Sequence, residues 1–405
     1  MLQSSSSISS SERTSALREL ARFLKTLVVA CVLPSVLVIA ALLFLAHRMG
    51  FTISPLTIAH MQQADPRILW MSHGGYYGPY QLARIEASRP EIIFLGHSRC
   101  SQWRSMMFKP YSFHNACLTA WTFSQIRTMV DLATRKNGPR IVMFTMDYFM
   151  FNDAYAKNWA DRATMIYDFD YVQGLRDLAT IAKGYPVEVL TAMPAYLFGR
   201  AHSMIDGMDL LGFGAVIARA GFRFDGSVMY NAKFREEAPR NVHEMAMVIP
   251  TVPRGTGHVI SSAQIDELQK LADLGKERNL TLVGIQLPFV KKVADILDSG
   301  QDYQHYLASD AGVWRDFQSA EIRRRFQEMG IHFFDWSRHP IGADTRAFID
   351  PAHSSEYANV SALSSAMADP KFRAIIPELD MQALGHALRE AERTGTFFDI
   401  YHDRF

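Results

Sequence analysis

Glu91-Ile-Ile-Phe-Leu-Gly-His-Ser-Arg-Cys100 is an apolar run that stops at a glycine and then presents a hydroxyl. Four consecutive apolar residues closed by a turn signal read as a buried strand, Ile92–Gly96, of a parallel sheet. Gly96 lets the backbone bend sharply, so Ser98 stands just past the strand end, the edge where open parallel sheets collect ligands. Much further along, Phe348-Ile-Asp-Pro-Ala-His353 places a carboxylate and an imidazole three residues apart on a proline-started turn. A hydroxyl, a base and an acid to orient it are the parts of a serine nucleophile site. Read alone, Asp350 also suits a helix cap with Pro351 at the first helical position, ahead of a helical run from Ser355 to Ala368.

The rest of the chain continues the strand–helix alternation. Tyr111–Ala116 reads as a second strand, Thr119–Lys136 as an amphipathic helix ended by Asn137-Gly138, and Arg140–Phe151 as a third strand. Ser261 opens a capped helix through Arg278, Leu280–Leu287 is a fourth strand halted by Pro288, and a charged helix at 312–329 leads to a fifth, His332–Trp336. This pattern predicts an α/β fold: a three-layer α/β/α sandwich around a central parallel sheet. Between 152 and 258 the rhythm is lost, with helical patches near 171–183, 187–199 and 206–220; the stretch reads as a helical insertion, either a lid or extra packing helices. A last amphipathic helix, 378–395, begins the C-terminal segment.

Thr26–Ala46 (TLVVACVLPSVLVIAALLFLA) carries no charge over its 21 residues, enough to cross about 30 Å of hydrocarbon at ~1.5 Å per residue. Arg13, Arg18, Arg22 and Lys25 precede it, so the positive-inside rule puts the N-terminus in the cytoplasm and everything after His47 outside. A cleaved signal peptide is the competing reading, but the run is long for one and lacks small residues at a cleavage position. The expected layout is a cytoplasmic tail 1–25, an anchor 26–46, a juxtamembrane segment 47–90, the sheet domain 91–377 with its insertion, and a C-terminal helix and tail 378–405.

A net charge of +1 leaves no basic excess for phosphates and argues against nucleic-acid binding. The histidines and cysteines offer no metal-ligand spacing, and no phosphate loop is present, so neither metal nor cofactor is expected. Cys100 and Cys117 both fall near the Ser98 turn; a bridge and two buried thiols are both open.

With these motifs in place, the chain resembles the SGNH (GDSL-like) hydrolase superfamily, in its membrane-anchored, extracytoplasmic branch linked to surface-polysaccharide acylation. The likeness covers about 91–151 and 280–368: Gly96-His-Ser-Arg99 after the first strand, Asn115-Ala116 ending the second, Asp147-Tyr-Phe after the third, Leu287-Pro288, and Asp350-Pro-Ala-His353. It departs in His97, where the family commonly has Asp or Ser, and in lacking a clear Gly-x-Asn-Asp block. The resemblance implies Ser98 as nucleophile, His353 as base and Asp350 as its partner. Gly96, Asn115 and Arg99 are the candidate oxyanion or substrate-binding residues, with the Ser98 N–H as a backbone donor. It implies a serine esterase or O-acyltransferase acting on acyl, and especially acetyl, esters of a bacterial exported polysaccharide. A membrane-bound O-acyltransferase is the implied partner, and the site of action is the periplasmic face of the inner membrane. The alternative is an inactive accessory or glycan-binding protein on the same fold.

Overall fold

The computed structural model describes residues 10–48, 53–71, 77–135, 138–160, 204–205, 208–231, 235–238, 242, 259–299 and 308–401, with single positions at 183, 187 and 191. The chain divides into two compact units, one of 1–52 with 171–201 and one of 53–170 with 202–405. The expected helices at 171–183 and 187–199 lie outside the described residues, isolated positions aside.

In the first unit, helix Ser10–Leu27 runs through a π turn, Val28–Val32, into helix Leu33–Arg48. The π turn sits beside Pro34, which has no N–H to give the preceding turn; the Leu33 N–H reaches back to the Val28 carbonyl instead. Ser35 Oγ donates to the Cys31 carbonyl in the same turn, 2.7 Å away. Thr14–Phe44 is long and apolar enough to cross a membrane.

The second unit holds two sheets. Its strands are β1 (Ile68–Trp70), β2 (Ile92–Gly96), β3 (Phe113–Cys117), β4 (Ile141–Thr145), β5 (Met204–Ile205), β6 (Met208–Leu211), β7 (Gly221–Phe222), β8 (Val228–Met229), β9 (Thr281–Gln286) and β10 (His332–Asp335). The main sheet has the order β10-β9-β4-β2-β3 and every pair is parallel. Counted along the chain this is 2-1-3-4-5: the path steps from β2 out to β3, then returns past β2 to β4. The reversal falls between β2 and β4, and the carboxyl ends of strands at such a switch point are where doubly wound sheets bind ligands.

Alternation in β10 shows that both faces of this sheet are covered. Phe333 meets Phe317 and Phe326, whereas Phe334 meets Phe372. The first face carries helices Phe123–Ala133, Ser262–Glu277 and Ala320–Met329, joined through Phe151, which touches Phe123 and Phe326. On the second face Phe94, Trp103, Trp336 and Phe372 form a chain of ring contacts to helix Pro370–Ile375. The expected α/β class with a parallel main sheet is present, and helices pack on both of its faces.

Local corrections have local causes. The third strand ends at Thr145 rather than Phe151, because Tyr148–Phe151 coils into a tight helical turn. The helix expected at 312–329 is two helices, Ala308–Phe317 and Ala320–Met329; Ser319 caps the second by accepting the Ile322 N–H. The insertion is not purely helical. Its described part contributes β5 to β8, and the patch expected as helix 206–220 is β6 followed by a short helix, Phe213–Ala218. These strands form a small second sheet around β1, in the order β5-β6-β1-β7-β8. The stretch expected as a juxtamembrane segment thus supplies that sheet's central strand.

The second sheet's loop closes the free edge of the main sheet. The Asn115 N–H donates to the Asp225 carbonyl at 2.8 Å, and Val228 N–H to Ser101 O at 2.9 Å. Gly226, with φ +80°, lies against the Asn115 carbonyl and the His114 ring, where a Cβ would collide with both. Beneath it Arg104 pairs with Asp225 and Glu356, and Arg223 with Glu356 and Asp399. This buried ionic cluster ties the small sheet to helix Glu356–Ala366 and the C-terminal turn. Burial raises the Glu356 carboxyl above its usual range despite the two arginines.

Candidate active site

Gly96 ends β2 at φ +149°, packed so closely on the Thr145 side chain that a Cβ would overlap it. The chain then enters a tight turn, Ser98–Cys100, whose Ser98 carbonyl accepts the Ser101 N–H. Ser98 leads this turn, half-buried. The loop after β3 is drawn over the strand end: Thr119 and Ala120 N–H both donate to the Gly96 carbonyl. Cys100 and Cys117 are joined by a disulfide, which resolves the open cysteine question and locks the Ser98 turn to the end of β3.

The second half of the site is a closed loop after β10. Phe348 and Ser354 form an antiparallel bridge, and Ile349 N–H donates to His353 O at 2.9 Å. Inside it Asp350 Oδ1 accepts the Ala352 and His353 N–H groups at 2.8 and 3.0 Å, an Asx turn that fixes the carboxylate. Asp350 is not the cap of the following helix. That helix is Glu356–Ala366, and Ser355 caps it by accepting the Ala358 N–H.

These segments meet. Ser98 Oγ lies 2.7 Å from His353 Nε2, and His353 Nδ1 lies 2.7 Å from Asp350 Oδ2. A carboxylate only accepts, so Nδ1 carries the hydrogen and donates it to Asp350; Nε2 of the neutral ring is then free to accept from the Ser98 hydroxyl. Burial opposes the Asp350 charge, but the His353 interaction and the two backbone donors outweigh it and hold the carboxyl at about 2. The His353 side chain keeps 26% of its surface and Asp350 11%, so the ring is reachable while the acid is shielded. The arrangement can take the proton from Ser98 and hold the resulting imidazolium.

The remaining expected residues lie close by with different partners. Asn115 is fully buried, and its amide nitrogen donates to the Cys100 and Trp103 carbonyls at 2.9 and 2.8 Å. Both of its N–H hydrogens thus go to carbonyls that brace the Ser98 loop. The Ser98 backbone N–H, at the first position of its turn, stays the candidate donor. Arg99 is 3% exposed and turned inward to Asp147 and three carbonyls rather than toward solvent.

Asp147 is fully buried and also receives Gln286 Nε2, while His97 Nε2 sits 2.8 Å from its other oxygen. Burial opposes its charge, and the Arg99 guanidinium leads the groups that keep it below the usual range. Burial holds the His97 ring below its ordinary value. Gln286 and the Ala352 carbonyl were missed from the sequence. Their signal was slight: Asp147 and Gln286 are polar residues at the ends of neighbouring apolar strands.

Among the described residues no group of three or more His, Cys, Asp or Glu side chains is placed to hold a metal ion. Comparison with family models, with curated proteins and with solved structures finds no match to this chain.

Proposed function

We propose that this chain is a membrane-anchored serine ester enzyme of the SGNH type. The observation that carries the reading is the Ser98–His353–Asp350 relay, two contacts of 2.7 Å, the first of which joins residues 255 positions apart in the chain. Ser98 Oγ attacks the acyl carbonyl carbon as His353 Nε2 takes the hydroxyl proton. The new Oγ–C bond forms, the ester C–O bond breaks, and the departing oxygen leaves with the proton from His353. A second oxygen nucleophile, water in an esterase or a sugar hydroxyl in an O-acyltransferase, gives its proton to His353. As it attacks the acyl-serine, the acyl C–Oγ bond breaks and His353 returns the proton to Ser98 Oγ. The substrate class we propose is an acyl, and especially acetyl, ester of an exported bacterial polysaccharide, with a membrane-bound O-acyltransferase as donor partner. The apolar N-terminal helix supports an inner-membrane anchor, and the Cys100–Cys117 disulfide supports an oxidising compartment for the rest.

A second reading, an accessory that keeps the fold without turnover, draws on the Asn115 amide being spent on carbonyls. The full-length protein, purified in detergent, separates the two when treated with a fluorophosphonate probe and with p-nitrophenyl acetate. An enzyme is labelled at Ser98 and hydrolyses the ester. Ser98→Ala and His353→Ala each lower kcat by at least about 10⁴-fold without unfolding. Well-folded wild type that takes no label and turns over no ester is the accessory.

A further inference from the structure

We infer that Arg99 is a positioning residue: its guanidinium holds the Ser98 turn and the Asp350–His353 loop in one register, so that hydroxyl and imidazole meet. The inference rests on the serine-enzyme reading and goes beyond it. Arg99 is the residue after the nucleophile, and Nε donates at 2.8 Å to the carbonyl of Ala352, the residue before the base. One planar group therefore bridges the two immediate neighbours of the reacting pair. Its other nitrogens donate to Asp147, just past the end of β4, and to the Leu287 and Pro288 carbonyls past the end of β9, at 2.8 and 2.7 Å. The guanidinium face stacks on Phe289 with its carbon 3.9 Å from the ring centre. The segments that follow β2, β4 and β9, and the histidine loop after β10, thus all converge on this side chain.

Burying a cation is strongly unfavourable unless it is paired and fully hydrogen-bonded. Asp147 supplies the countercharge, and it is itself anchored by Gln286. Only arginine has a rigid fork with donors in several directions; lysine keeps the charge but concentrates its donors on one rotating nitrogen. With its guanidinium turned inward and 3% exposed, Arg99 is placed to orient the relay rather than to meet the substrate.

The test compares full-length wild type, R99K and Phe289→Leu in detergent. It follows the second-order rate of fluorophosphonate labelling, kcat and KM for p-nitrophenyl acetate, and thermal unfolding of the same samples. Displacing reacting atoms by about 1 Å costs on the order of 100-fold in rate. The expected result for R99K is a fall of about that size in kcat and labelling rate, with KM within about twofold and the melting transition retained. Phe289→Leu, which removes only the stacking face, loses rate in the same sense and to a smaller extent. Labelling at the wild-type rate in R99K overturns the inference, as does a rise in KM at constant kcat, which marks a substrate contact. If R99K does not fold, Phe289→Leu decides alone, and an unchanged labelling rate there overturns it. A wild type that takes no label removes both this role and the serine-enzyme reading, whereas labelling that is equally fast in wild type and R99K removes only the role of Arg99.

Discussion

His114 shows how a single buried ring links the fold to pH. It sits in β3 with its Nε2 2.6 Å from the Gln81 amide oxygen, so Nε2 carries the hydrogen and the ring is neutral. Burial, helped by the nearby Arg84 charge, depresses it from 6.5 to about 3. Below pH 6.5 the unfolded chain takes up this proton, while the folded chain resists until about pH 3. Stability from this group is therefore complete above 6.5 and is lost as pH falls through that window, with a slope approaching about 1.4 kcal/mol per pH unit. Denaturant unfolding at pH 7.5, 5.5 and 4.5 should show the pH dependence flattened by roughly one proton in His114→Gln. An unchanged slope in the variant would mean that other groups set the acid limit. Nothing in Phe113-His-Asn115 announced this, because the partner lies on helix Tyr77–Ser88.

Between the strands, the decisive element is the Ser98 turn, which the sequence located and the structure braced. The glycine stop after Ile92–Leu95 was legible because four apolar residues and a breaker form a local pattern. So was the helix after Ser261, observed at Ser262–Glu277, since its capping signal is confined to the four residues Ser261–Gln264. The bracing was not legible. Asn115, Arg99 and the cysteines act through partners chosen by packing, and a period-2 or period-3.6 pattern carries no information about those. The disulfide closes a loop across a sequence separation of 17, for which chain entropy assigns about 3 kcal/mol. The double variant Cys100→Ala, Cys117→Ala should lose about 2–4 kcal/mol in guanidinium unfolding. A loss below about 1 kcal/mol would show that the Asn115 bonds and the sheet already hold the turn.

For the entire chain, the apolar N-terminal helix belongs to one compact unit and both sheets belong to the other. From Leu27 to Phe44 the helix surface is exposed and carries no charge, with Leu37 61% and Phe44 54% accessible, a largely apolar surface that water disfavours at about 25 cal/mol per Å². Under the anchor reading, full-length protein expressed in bacteria should stay in the membrane pellet through carbonate extraction. A chain lacking residues 1–48 should leave the pellet. Full-length protein extracted by carbonate, or found cleaved after residue 46, would replace the anchor with a peripheral or secreted form.

Short-range order was readable from the chain alone: where strands stop, where helices are capped, which stretch is too apolar for water, and that a hydroxyl, an imidazole and a carboxylate stand at turn positions. These depend on backbone sterics and on periodicities of two to four residues, which the order of side chains expresses directly. Other features came only with the fold: the 2.7 Å meeting of Ser98 and His353, the inward turn of Arg99, the diversion of Asn115, and the second sheet built from β1 and distant strands. Each joins residues far apart in the chain, and such pairings are selected by how whole layers pack and by which buried polar groups must find partners once water is excluded.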